Sequence, residues 1–368
     1  MNNDESLMKR ALELAIKGSG WVNPNPRVGA VIVKNGEIIG EGWHKKFGGP
    51  HAEIEAINSS NGADLSGATM YVNLEPCNHT GKTPPCADAI IEHNFEKVFI
   101  AMRDPNPNVE GGGAAKLRAA GIEVNEGLLE EDAKWLNRFF IKHTSTGLPY
   151  IILKMGQSID GNIASSQGES KWITCEESRR RVHILRASVD AILVGRQTVE
   201  ADDPNLTVRA VEGHNPKRIV LDAELSLQLS SKVFSDYERS NTVVFCSKRA
   251  INSRKAGILK IAGVNVVACE LDETDKLSSK KAVEYCGREL KMSSILVEGG
   301  SRVFSSFAAA DLIDEIHIFI APILLGQGYH SFRALSVNSI DKAPKFEIKA
   351  ISQSDSDVQI IAIRRNSD

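Results

Sequence analysis

The chain has 368 residues, 42% of them hydrophobic and 25% charged, with a formal net charge of -3. This is the make-up of an ordinary globular protein of about two domains; it excludes a charged tail, and nothing in it argues for a nucleic-acid surface. Six cysteines over that length exclude a disulfide-stapled scaffold, so clustered thiols are better read as metal ligands.

The opening MNNDESLMKRALELA has no apolar run suited to a signal peptide or a membrane span, so a cytoplasmic protein without a membrane partner is expected. Leu7, Ala11, Leu14 and Ala15 recur at helical spacing until Gly18 and Gly20 stop the run. Strand-like runs RVGAVIV (27–33), ATMYVNL (68–74) and KVFIAM (97–102) then alternate with helices expected at 51–60, 84–94, 113–120 and 130–143. That alternation is the α/β signature. The polar segment HTSTGLP (143–149) is read as the link between a first domain, 1–145, and a second, 150–365. The second domain brings its own series of strands: YIILKMG (150–156), DAILVG (190–195), KRIVLD (217–222), TVVFCS (242–247), VNVVAC (264–269), SSILVEGG (293–300), EIHIFIAP (315–322) and VQIIAI (358–363). A second α/β sheet is expected from them.

Chemistry concentrates in two stretches of the first domain. GPHAEIEA (49–56) sets His51 and Glu53 two apart, and LEPCNHTGKTPPC (74–86) supplies Cys77 and Cys86. One histidine and two cysteines make three ligands, the number at a catalytic zinc whose fourth position is left to water. His79 is the rival fourth ligand, and with it the site would be a closed Cys₂His₂ centre. Glu53 favours the open reading, because H-x-E followed by P-C and a second cysteine is the layout of zinc deaminases, where the glutamate moves protons without binding metal. Zinc held this way brings the pKa of water toward about 7, producing a nucleophile for an amino-bearing ring carbon. Eight residues separate the two cysteines where zinc sites often have two.

In the second domain SSILVEGGSRVFSSF (293–307) reads as a buried strand, a Gly-Gly turn and a helix whose N-terminus suits a phosphate, without the G-x-G-x-x-G pattern. Lys154 and Glu298 interrupt apolar strands near ends where α/β proteins bind ligands. Arg186 and Arg209 suit a phosphate or a structural ion pair, and Trp172 suits either a core or a nicotinamide.

PNPRVGAVIV, GEGWHKKFGGPHAE, YVNLEPCNHTGKTPPC and AMRDPNPNVEGGG, with KMGQSIDGNIA, GESKWIT, RASVDAILVGRQTVEADDPNLTVR, VEGG and IAPILLG, resemble the bifunctional deaminase–reductase of riboflavin biosynthesis over nearly the whole chain. The resemblance implies a cytidine-deaminase-like three-layer α/β/α domain followed by a dihydrofolate-reductase-like α/β domain. It implies hydrolytic removal of a ring amino group from a phosphorylated diaminopyrimidine, then NADPH-dependent reduction of its ribosyl group to ribityl. On this resemblance His51, Cys77 and Cys86 are the zinc ligands, Glu53 the proton carrier, and Asn25, His44, His79 and Lys82 deaminase substrate contacts. Gly156, Trp172, Thr198, Asp202 and the loop Gly300, Ser301, Arg302, Val303, Phe304, Ser305 and Ser306 fall at cofactor positions. Lys154, Ser170, Arg186, Leu206, Arg209 and Glu298 fall at reductase substrate positions. The loop between the cysteines then has a task, presenting His79 and Lys82 to the sugar phosphate while Pro84 and Pro85 stiffen its return. The family also implies a homo-oligomer. Two other readings remain: a nucleoside or nucleic-acid deaminase with an accessory domain, and a zinc-stabilised binding protein closed by His79.

Overall fold

The computed structural model describes residues 3–78, 84–106 and 112–365. The chain divides into two compact units, Met1–Gly147 and Leu148–Asp368.

The first unit begins with α1 (Asn3–Ile16), which buries Leu7, Met8, Ala11, Leu12, Leu14 and Ala15 along one stripe. Then come β1 (Gly29–Lys34), β2 (Glu37–Trp43), α2 (Ala52–Ser59), β3 (Thr69–Leu74), α3 (Cys86–Glu92), β4 (Lys97–Met102), α4 (Gly113–Ala119) and β5 (Glu123–Glu126). The strands form one sheet in the order β2-β1-β3-β4-β5, antiparallel from β2 to β3 and parallel from β3 to β5. Helices lie on both faces. A side chain at Gly29 would collide with the backbone of Ala11 in α1, whereas a Cβ at Gly42 would come within 2.5 Å of Ala52 O in α2. Gly29 pairs with Trp43, so Gly42 necessarily points to the other face. Absence of a Cβ at Gly42 lets α2 lie directly on β2, which fixes where that helix begins. At that end stand His51 and Glu53.

The expected single helix over 130–143 is two: α5 (Glu130–Leu136) and α6 (Arg138–Thr146). The break is at Asn137, whose buried side chain accepts the Arg27 N–H at 2.8 Å and donates to Arg27 O at 3.1 Å. A side-chain amide tied on both sides to the entrance of β1 turns its own backbone out of helical geometry, to φ -98 and ψ 15.

The second unit contains β6 (Tyr150–Ser158), β7 (Asn162–Ala164), α7 (Glu176–Ser188), β8 (Ala191–Gly195), α8 (Arg196–Asp202), β9 (Lys217–Leu221), α9 (Lys232–Ser235), β10 (Thr242–Ser247), α10 (Arg254–Ile261) and β11 (Asn265–Cys269). It continues with α11 (Ser279–Arg288), β12 (Ser294–Gly299), α12 (Ser301–Ala309), β13 (Glu315–Ala321), β14 (Tyr329–His330), β15 (Phe346–Ser354) and β16 (Asp357–Arg364). The main sheet has nine strands in the order β11-β10-β9-β8-β12-β6-β13-β16-β15. It is parallel from β11 to β13, and β16 and β15 complete it antiparallel.

Strand alternation places the second unit's chemistry. Ile151, Leu153 and Met155 of β6 and Ile295 and Val297 of β12 join one core with Phe304 and Phe307 of α12 and Ala282 and Val283 of α11. Lys154 lies between Leu153 and Met155, and Glu298 follows Val297, so both emerge on the opposite face, on paired strands. There they meet α7, which supplies Arg186.

Candidate active sites

In the first unit His51 is the N-cap of α2, Cys77 follows β3, and Cys86 opens α3. The ligand atoms of the three lie within 4.8 Å of one another, with His51 Nδ1 at 3.5 Å from Cys77 Sγ and 3.3 Å from Cys86 Sγ. Zinc bonds of about 2.3 Å to sulfur and about 2.0 Å to nitrogen, at tetrahedral angles, separate such donors by roughly 3.5–3.8 Å. The trio therefore fits that ion. The two sulfurs compete for one proton: the hydrogen bond with Cys86 draws the Cys77 thiol down to about 4, and Cys77 holds Cys86 far above the usual thiol range. A cation between them replaces that proton.

Glu53 is buried, and its Oε2 has no hydrogen-bond partner among the described residues. Burial pushes its carboxyl up to about 7. An unpaired buried polar oxygen is costly to the fold, and such a cost is commonly retained for chemistry. Of the four expected substrate contacts, Asn25 and His44 are brought together beside this cluster, while His79 and Lys82 lie outside the described residues. His44 donates from Nδ1 to Pro50 O at 2.8 Å, so its Nε2 is left to accept from Asn25 Nδ2 at 3.3 Å. Burial holds that ring in its neutral form, and it meets the His51 ring edge to face at 5.7 Å.

Glu75 was assigned no role by the sequence, although it stands in the same E-P-C. Its carboxylate accepts the Asp104 N–H at 3.2 Å and the Ala114 N–H at 3.0 Å, tying the segment that leads to Cys77 to the end of β4 and the start of α4. Glu75→Ala is expected to speed zinc loss to a chelator by about tenfold, the scale of one or two lost hydrogen bonds, with Glu53 untouched. A metal-release time course checks this.

In the second unit a cleft of about 1200 Å³ is lined by residues that include Lys154, Gly156, Ser170, Trp172, Thr198, Asp202, Leu206, Arg209, Glu298 and Gly300. Lys154 and Glu298 are not solvated charges. Glu298 takes a two-pronged bond from Arg186, at 2.6 Å to Oε1 and 2.8 Å to Oε2, and Lys154 Nζ lies 3.3 Å from Oε2. Burial alone would raise the Glu298 pKa, but Arg186 and Lys154 hold the carboxylate well below its usual range. Arg186 is thus the structural ion pair of the two alternatives, and Arg209 is different. Its guanidinium bonds Thr207 Oγ1 at 2.9 Å and forms no ion pair among the described residues.

Trp172 is 70% exposed with Arg179 stacked on its ring at 4.6 Å, so it belongs to the cleft and not to a core. Ser170 Oγ donates to Asp202 Oδ1 at 3.0 Å. Gly300 is the N-cap of α12 with φ +51, and a Cβ there would come 3.2 Å from Thr198 Oγ1. Within the expected cofactor loop, Gly300, Ser301 and Phe304 line the cleft. Arg302 is exposed, and Val303 packs on the core. Ser305 donates to Ser301 O, and Ser306 pairs with Ser279.

Fold and sites together define a two-unit enzyme, a zinc-type deaminase followed by a reductase. Residues 1–102 match the cytidine and deoxycytidylate deaminase zinc-binding region, and residues 149–360 match the RibD C-terminal domain. Riboflavin biosynthesis protein RibD of Aquifex aeolicus is 44% identical over 97% of both chains, and that of Escherichia coli is 40% identical over 96% of this chain and 98% of the relative. The crystal structure of a diaminohydroxyphosphoribosylaminopyrimidine deaminase/5-amino-6-(5-phosphoribosylamino)uracil reductase from Thermotoga maritima is 42% identical and covers 99% of each chain with a TM-score of 0.88. The chain belongs to the RibD family, bifunctional enzymes that carry the deaminase and reductase steps of riboflavin biosynthesis. No helix among the described residues is long and apolar enough to cross a membrane.

Proposed function

We propose that residues 1–145 deaminate 2,5-diamino-6-ribosylamino-4(3H)-pyrimidinone 5′-phosphate, and that residues 150–365 reduce the resulting 5-amino-6-(5-phosphoribosylamino)uracil with NADPH to its ribityl form. The observation that carries the first half is a three-donor cluster beside a buried carboxylate oxygen with no partner among the described residues. Bound zinc supplies the Lewis acidity that makes water nucleophilic near neutral pH. Glu53 takes one proton from the attacking water and gives it to the ring nitrogen, then takes the second from the hydroxyl now on the ring carbon and gives it to the departing amino group, so that a C=O bond replaces C–N and ammonia leaves. Asn25 and His44 orient the pyrimidine, with the His44 tautomer fixed by Pro50. His79 and Lys82 are assigned to the sugar phosphate.

In the second half NADPH supplies hydride for the ribosyl C1 carbon. Gly300 at the N-terminus of α12, with Thr198 close behind it, favours a cofactor phosphate at that backbone. Trp172, Gly156, Asp202, Ser301 and Phe304 complete the proposed cofactor wall, while Val303, Ser305 and Ser306 hold the helix behind it. Glu298 locks Lys154 and Arg186 in place against the sugar, Ser170 and Leu206 flank it, and Arg209, which forms no ion pair among the described residues, takes the substrate phosphate. A cytoplasmic homo-oligomer accords with the family.

NADPH oxidation is expected only when the deaminated intermediate is present, whether supplied directly or formed in place from the diamino substrate. Oxidation that proceeds with the diamino substrate while ammonia release is blocked overturns the order of the two steps. Absorbance at 340 nm together with an ammonia assay reads both.

A further inference from the structure

His183 lies on α7 one turn before Arg186, lines the same cleft, and belongs to neither set of assigned site residues. Its Nδ1 accepts the backbone N–H of Arg209 at 3.2 Å. That bond spans 26 residues and joins the helix to the segment that carries Leu206, Thr207 and Arg209. The segment is otherwise irregular, following α8 with left-handed backbone at Asp203 (φ 39) and Leu206 (φ 53). Arg186 adds a second tie from the same helix, donating from Nη1 to Thr207 O at 3.1 Å. An extended chain of this kind has few backbone bonds of its own, so its position depends on those it is given.

We propose that His183 is a positioning residue for the reductase, its Nδ1 holding the Arg209 backbone so that the guanidinium meets the substrate phosphate. This rests on the assignment of Arg209 to that phosphate. The ring can do so only while Nδ1 is unprotonated, with its single proton on Nε2. Its surroundings enforce that form, because burial, with Arg186 and Arg209 nearby, depresses the His183 pKa to about 4, outweighing the pull of Glu298. An ordinary surface histidine would be partly charged below about pH 6.5, and as a charged ring it would offer no acceptor at Nδ1.

The proposal separates acceptor geometry from mere bulk. In His183→Asn the side-chain oxygen stands about as far from Cβ as Nδ1 does and still accepts; His183→Leu fills space and accepts nothing. With NADPH and the deaminated phosphorylated intermediate, His183→Leu is expected to raise KM for the intermediate roughly three- to tenfold, the scale of one hydrogen bond. KM for NADPH and the rate of ammonia release stay at wild-type values. His183→Asn stays within about twofold of wild type, by the same hydrogen-bond scale. With the same intermediate lacking its phosphate, the difference between the variants disappears.

Amide hydrogen exchange read at Arg209 in the full-length protein without substrate gives an independent arm, in which His183→Leu accelerates exchange and His183→Asn does not. Equal impairment in the Asn and Leu variants, or unchanged exchange in His183→Leu, overturns the proposal. Arg209→Leu with an unchanged KM for the phosphorylated intermediate overturns the phosphate assignment instead, and the exchange arm then decides the role of His183 alone.

Discussion

Glu53→Ala is expected to lower ammonia release by about 10²–10⁴-fold, the usual contribution of a positioned proton carrier, while the chain keeps its zinc. Two features of the site make the loss specific to chemistry. Glu53 is not one of the three clustered donors, so metal content measured by elemental analysis stays at one ion per chain. Among the described residues its Oε2 bonds nothing, so removing the carboxyl relieves a buried polar group and gives up only a contact with the Cys86 thiol; the thermal midpoint stays level. Reduction of directly supplied deaminated intermediate continues at the wild-type rate. Ammonia release within tenfold of wild type would falsify the proton-carrier role, and loss of zinc in the variant would make Glu53 a ligand.

The second large effect is expected at Glu298. Glu298→Gln leaves Arg186 and Lys154 buried with no carboxylate between them, a cost of about 3–5 kcal/mol when a buried ion pair loses one partner. NADPH oxidation with the intermediate should fall by at least about a hundredfold as the two cations repel and swing out of register, the penalty typical of misplaced positioning groups. Stability and activity are separated by a cycle with Arg186→Gln. If the two groups act as one unit, the double variant is no worse than the worse single variant in activity, and denaturant unfolding shows a coupling of about 1–3 kcal/mol. Additive losses in both measurements are the result that removes the unit.

Much of this is legible in the sequence, for physical reasons that differ by place. The central strands β1, β6 and β12 are buried on both faces, so their apolar runs stand out, and a charge inside such a run, Lys154 or Glu298, is conspicuous. His51, Glu53, Cys77 and Cys86 are close enough in sequence for their spacing to carry a pattern. Other parts were silent. Strand β2, EIIGEGW, is not among the strand-like runs, because its glycines serve the approach of α2 and not the pairing of the strand. Strand β15, FEIKAISQS, alternates apolar and polar residues only over its first five positions, and it is exposed almost throughout, so no buried face backs the pattern. The break at Asn137 depends on Arg27, 110 residues away. No local signal separates Arg186 from Arg209, since only the fold decides which of them reaches Glu298. His183, in a helix crowded with arginines, looks like one more solvated polar residue, and Glu75 like an incidental neighbour of a ligand.

The ion-pair triad also governs how a substrate arrives. Lys154, Arg186 and Glu298 leave one positive charge uncancelled and Arg209 adds another, inside a chain whose formal net charge is -3. A phosphorylated molecule at long range meets a weakly repellent body, and only within about 8 Å, one screening length in physiological salt, does the local field turn attractive. Such a cleft gains little from long-range steering. Encounter rates then depend weakly on ionic strength, and residence time depends on it strongly, so salt should tune how long the intermediate stays and not how often it comes.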